Sequence, residues 1–179
     1  MEVYEGAVDR GLEGVVACTT AISSIVDATL CYRGFTIEDL AENSTFEEVV
    51  FLLWNDRLPK KEELTELKKS FGEDMALDPK LITALKNLPT DGHPMAWLRT
   101  AVSTMGLWDP DAENMEEKAN HRKAVRLTAR MATLVASFHR LREGMDLVEP
   151  KSDKSVAWNF LYMLNGEEPS DEKVKVFDT

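Results

Sequence analysis

Leu127, Met131, Leu134, Phe138 and Leu141 fall at i, i+4, i+7, i+11 and i+14, an unbroken apolar seam between Glu116 and Arg142. Such spacing fits one face of an α-helix and no strand, so the chain must be built around a long helix. Gly144 supplies its stop, and Arg140 and Arg142 place cations in the last turn, where the helix dipole favours them. The rest of the chain after Tyr32 obeys the same rule. Thr36 with Asp39 opens a short helix, and Ser44-x-x-Glu47 reads as the capping box of the next. That second helix carries Phe46, Val49, Val50 and Leu53 on one face and Phe51, Leu52 and Trp54 on others. A helix apolar nearly all round is expected in a core or at an interface.

Leu64, Leu67 and Phe71 form a narrower stripe on a charged helix from Lys60 to about Phe71. Asp78-Pro79 opens a helix to Leu88, and His93-Pro94 opens another with Trp97, Leu98, Ala101, Val102 and Met105 inward. Trp108 to Asn114 reads as a loop and Met145 to Asp153 as a linker. Ser155 to Asn165, closed by Gly166, and a segment begun by Ser170 complete the helices. Ahead of them, Leu12 to Tyr32 is rich in Val, Thr, Ile and Ala, alternates through Ala21–Ile25, and reads as a small β-hairpin. The expected fold is mostly α: an antiparallel multi-helix domain with a small N-terminal β-hairpin.

A length of 179 residues suits one domain or a large part of a bigger one, and 44% apolar residues suffice for a core. The formal charge of −11 argues against nucleic acid and anionic membranes as partners. No apolar run is long enough to span a bilayer, and the first residues carry no signal-peptide pattern. Cys18 and Cys31 flank the hairpin and are expected as reduced thiols, with no metal-ligand spacing around them. A soluble protein of a reducing, cytoplasmic compartment is the reading.

Of the three histidines, His93 reads as a capping or loop residue, His121 as solvated and His139 as partly buried. None is assigned as a base, because geometry must precede that claim. From chemistry alone Arg10 and Arg33 read as surface or structural arginines. Arg10 beside Gly11 can reach a phosphate, and Arg33 beside Gly34 can form a bidentate pair with a carboxylate.

Gly11–Val16, Ile22-Ser23-Ser24, Tyr32-Arg33-Gly34, Glu38–Leu40, Phe46-Glu47-Glu48, Leu58-Pro59, His93-Pro94-Met95, Leu98–Val102 and Asn159–Pro169 recur in an order that resembles the citrate synthases. Two departures stand out. Val26-Asp27-Ala28 replaces a longer Asp-Gly-containing hairpin tip, and Arg130-Met131-Ala132-Thr133 stands where Lys-Leu-Pro-Thr is common.

The resemblance implies that residues 1–179 are the N-terminal part of a large helical domain, with the C-terminal part and small domain absent. It implies acetyl-CoA as substrate, no tightly bound cofactor, and condensation with oxaloacetate to citrate. A propionyl-CoA-using 2-methylcitrate synthase is the alternative, and a non-catalytic oligomerisation or regulatory subunit a third reading. Of the ligand-contacting groups it carries over only Arg10, to the CoA phosphates. The family's catalytic histidines and aspartate map onto no residue here, so the chain alone is expected to be inactive. A homo-oligomer, or a hetero-oligomer with a subunit supplying the catalytic half, is the expected assembly.

Overall fold

The computed structural model describes residues 15, 16 and 18–179. A three-stranded antiparallel sheet, β1 (Ser23–Val26), β2 (Thr29–Tyr32) and β3 (Phe35–Thr36), precedes the helices, in the order β1-β2-β3. The hairpin is where expected, and β3 extends it by one strand. Val26 pairs with Thr29, so Asp27 and Ala28 alone form the β1–β2 turn. Their φ values of 48° and 66° are the left-handed pair that matches strand twist. The β2–β3 turn uses Arg33 and Gly34 in the same way, at φ 49° and 87°. Gly34 adopts this freely; Ala28 pays for its Cβ. Ala28→Gly should therefore raise stability by about 1 kcal/mol; an unchanged or lowered urea midpoint would show that the turn is not strained.

The helices among the described residues are α1 (Ile37–Asn43), α2 (Phe46–Asn55), α3 (Lys61–Asp74), α4 (Pro79–Lys86), α5 (Pro94–Gly106), α6 (Glu117–Arg142), α7 (Val156–Asn165) and α8 (Asp171–Asp178). Thr36 caps α1 by accepting from the Asp39 N–H, and Asp78 caps α4 by accepting from Lys80 at 2.7 Å. The capping box of α2 lies one residue later than the sequence suggests. Thr45 is the N-cap, and Glu48 returns to the Thr45 N–H at 2.8 Å. Ser44 instead ends α1. Glu47 turns inward, 1% exposed, and its Oε1 accepts from the Val156 N–H at 3.0 Å. It thus satisfies a free donor at the start of α7 from the neighbouring helix α2.

Helix α6 lies between two cores. One gathers Val50, Leu67, Phe71, Met75, Val156 and Met163 against Val125, Ala129 and Ala136 of α6. The other gathers Leu77, Leu81, Leu85, Trp97, Ala101 and Met105 against Leu134 and Phe138. The seam read from the sequence is buried only in its second half. Leu134 and Phe138 are enclosed, whereas Leu127 and Met131 are 40% and 37% exposed. The reason is size: small Ala129 and Ala136 let the neighbouring helices approach one side of α6, and the larger residues beside them turn outward.

Polar groups of α6 also finish other helices. Arg130 Nε donates to the Asp74 carbonyl at 2.9 Å and Thr133 Oγ1 to the Met75 carbonyl at 2.8 Å, closing the end of α3. Both belong to the segment that departs from the family pattern. The 151–155 loop before α7 is clamped from two sides. Gly72 of α3 lies so close that a Cβ would sit 2.0 Å from the Ser152 carbonyl oxygen. Opposite, the buried Asn159 accepts from Lys151 N–H at 2.8 Å and donates to the carbonyls of Lys151, Lys154 and Ser155.

Candidate functional site

Arg10, the one ligand-contacting residue expected from the sequence, lies outside the described residues. The histidines are separate from one another in role. His93 is the N-cap of α5, its Nδ1 accepting from the Met95 N–H at 3.2 Å, which is the capping role expected of it. His139 is exposed, where partial burial was expected. His121 is exposed too, with its ring edge-on to Trp54 at 5.5 Å. Among the described residues no histidine is hydrogen-bonded to a hydroxyl or thiol, and no three His, Cys, Asp or Glu converge as metal ligands. Cys18 and Cys31 are free, and no described helix is long and apolar enough to cross a membrane.

Arg33 is structural, but not through a bidentate carboxylate pair. Its Nη1 meets Asp56 Oδ1 at 2.6 Å and its Nη2 donates to the Leu53 carbonyl at 3.1 Å. The sheet is thereby pinned to the end of α2, where Asp56 adopts φ 61°.

A cleft of about 500 Å³ lies between α2, α3 and the start of α6. Leu67 and Val125 form its floor, Phe51 and Trp54 its aromatic wall, and charged side chains its rim. The rim guanidiniums are committed. Arg57 forms a fork with Glu63 at 2.8 and 2.6 Å and lies 5.3 Å from the Phe51 ring centre. Arg122 pairs with Asp111 at 2.9 and 2.5 Å. Arg126 spans Asp109 at 3.1 and 2.6 Å and Asp111 at 2.9 Å. This network ties the loop after α5 onto α6. The sequence offers a signal for it, in arginines four apart and aspartates two apart, which sequence reasoning missed.

These pairs set the local acidities. The hydrogen bonds from Arg122 and then Arg126 hold Asp111 well below the usual carboxylate range. Those from Arg57 and the Lys60 N–H bring Glu63 from 4.5 down to about 2. Burial pushes Asp74 the other way, upward, against the opposing pull of Arg130. For Glu63 the depressed native value means that its contribution is complete above the unfolded value and fades as pH falls through about 2. An NMR acid titration should place its midpoint at about 2, and Arg57→Ala should return it towards 4.5. A midpoint near 4.5 in the unmodified chain would refute the fork in solution.

The described residues hold charged clefts and satisfied pairs but no nucleophile–base constellation, so identity rests on the whole chain rather than on one cluster. A family model described as "Citrate synthase, C-terminal domain" matches residues 11–179. Citrate synthase 2 of Bacillus subtilis (strain 168) is 51% identical over 170 residues, covering 94% of this chain and 46% of that protein. The 2-methylcitrate synthase of Mycobacterium tuberculosis (strain H37Rv) is 40% identical over 173 residues, covering 96% of this chain and 44% of that one. The crystal structure of citrate synthase from Pyrobaculum aerophilum superposes with a TM-score of 0.88 at 34% identity, covering 99% of this chain and 47% of that chain. The chain therefore spans about half the length of the relatives it matches. With the match running through both cores and every described element, the chain belongs to the citrate synthase family.

Proposed function

We propose that the chain is the N-terminal, scaffold portion of the large domain of a cytoplasmic citrate synthase. The whole enzyme condenses acetyl-CoA with oxaloacetate, releasing citrate and CoA. The 51% identity with citrate synthase 2 across 94% of the chain carries this reading. Removing a proton from the acetyl methyl needs a placed base and a donor for the enol oxygen. Among the described residues no such set is assembled, so another part of the protein or a partner subunit supplies it. The chain contributes the two-core helical frame and, through Arg10, a contact to the CoA phosphates. It works within a homo-oligomer or a hetero-oligomer with the catalytic half. The 40% identity with a 2-methylcitrate synthase favours propionyl-CoA as the second reading.

The test is release of CoA thiol from acetyl-CoA and oxaloacetate by the isolated chain and by the chain reconstituted with the remainder of the protein. We expect no turnover from the first and turnover from the second. Turnover by the isolated chain would remove the scaffold role. Silence from a folded, reconstituted assembly would leave a non-catalytic oligomerisation or regulatory subunit. Substituting propionyl-CoA decides between the two substrates, and capture from the source lysate with mass spectrometry identifies the assembly.

A further inference from the structure

We propose that Asp91-Gly92, in the segment between α4 and α5, is a site of spontaneous isoaspartate formation and a substrate loop for an isoaspartyl-directed repair methyltransferase. The modification needs no co-reactant but water. The Gly92 nitrogen attacks Cγ of the Asp91 carboxyl group. A C–N bond forms as a C–O bond breaks, and the nitrogen's proton leaves with the hydroxyl as water. Water then opens the succinimide ring at either carbonyl. Opening at the α-carbonyl leaves the chain running through Cγ, one backbone atom longer, with a free α-carboxylate. Glycine favours closure because no Cβ obstructs the swing of its nitrogen onto the side chain.

The chain holds two pairs of this kind, Asp91-Gly92 and Asn165-Gly166, and the fold treats them oppositely. By residue type Asn165-Gly166 is the more reactive, since an amide carbonyl carries no negative charge to repel the incoming nitrogen. Yet the Gly166 N–H donates to the Tyr162 carbonyl at 2.8 Å, and Asn165 Nδ2 donates to the Leu161 carbonyl at 2.9 Å. The Arg140 guanidinium lies against the same turn, 3.1 Å from where a Cβ on Gly166 would stand. Closure there requires the last turn of α7 to uncoil. Asn43-Ser44 is locked in the same way, by bonds to the Asp39 and Leu40 carbonyls at 3.2 and 2.9 Å. Asp91 and Gly92 are both exposed and lie in no helix or strand. Among the described residues, neither the Asp91 carboxylate nor the Gly92 N–H takes part in a hydrogen bond or ion pair. A Cβ on Gly92 would meet nothing within 4 Å. Nothing has to break before this pair closes. The added backbone atom falls just ahead of His93, the N-cap of α5. Repair passes a methyl group from the sulfonium of S-adenosylmethionine to the new α-carboxylate, and the ester recloses to the succinimide with loss of methanol.

The full chain, folded and in guanidinium chloride, is aged at neutral pH and physiological temperature in water enriched in heavy oxygen. Isoaspartate is read by methyl transfer from labelled S-adenosylmethionine with a purified isoaspartyl methyltransferase, and located by peptide mapping. The folded chain should gain methylatable isoaspartate and heavy oxygen at residue 91. Unfolding should raise that rate by less than about fivefold, the factor one hydrogen bond would confer. At Asn165 it should raise the rate by about thirtyfold or more, the factor for two. Gly92→Ala, at an open position, should cut the signal at residue 91 severalfold with the unfolding midpoint unchanged. Isoaspartate at residue 91 only in unfolded chain, equal acceleration at both pairs, or a signal indifferent to Gly92→Ala would overturn the assignment. Isoaspartate at residue 91 that the methyltransferase ignores in folded chain would overturn its part as a repair substrate.

Discussion

Gly72→Ala should lower the free energy of unfolding by about 3 kcal/mol, the upper part of the range for overpacking a well-filled interior. The added Cβ would lie 2.0 Å from the Ser152 carbonyl oxygen and 2.9 Å from its carbon. These are backbone atoms, so no rotamer change can relieve the clash. Either α3 moves away from the loop, opening the core around Phe71 and Met75, or the loop gives up its bonds to Asn159. Urea unfolding should show a lower midpoint with an unchanged slope. A loss under about 0.5 kcal/mol would mean that the loop is free to shift, contrary to the clamp described here.

Asn159→Ala should cost about as much, for a different reason. Asn159 is fully enclosed, and its amide serves one N–H and three carbonyls of the 151–155 loop. Alanine takes the side-chain partner from the Lys151 N–H and the Lys154 carbonyl, while the Lys151 and Ser155 carbonyls keep the backbone N–H groups of Lys154 and Asn159. Each group stranded costs about 1–3 kcal/mol, and the lost side-chain volume adds to it. About 3 kcal/mol in total is expected, with faster hydrogen exchange at the Lys151 amide as the local sign. Because both substitutions release one loop, the double variant should lose less than the sum of the singles. Strict additivity would show that the two clamps act independently.

Much of the architecture could be read from local pattern. Proline and aspartate at 78–79, histidine and proline at 93–94, and glycine at 144 and 166 bound their helices because each acts on its own turn. The readings that went astray depend on distant partners. Ser44-x-x-Glu47 and Thr45-x-x-Glu48 are equally good capping boxes on paper. What decides between them is Val156, more than a hundred residues later, which draws Glu47 into the core. The α6 seam has the same origin: several of its faces are apolar, and only the approach of neighbouring helices at Ala129 and Ala136 selects the buried one. The cleft was invisible for this reason too, since it joins residues of α2, α3 and α6. Asn159 was legible as part of a family pattern, yet its work on the loop follows only from the bonds it makes. Of site residues the sequence offered only Arg10, by resemblance, and it lies outside the described residues.

The inward carboxylate of Glu47 bears on which misfolded forms the chain can tolerate. One oxygen is satisfied by Val156, while the other has no partner among the described residues. If α7 docked on α2 with its register displaced by a turn, that N–H would be lost, and a carboxylate shut away from water would face apolar neighbours. Stranding such a buried polar group costs about 1–3 kcal/mol, which a slipped but otherwise greasy interface does not return. Glu47 thus contributes little to the depth of the native minimum and much to the height of its rivals. A leucine in its place would leave α7 freer to settle in more than one position.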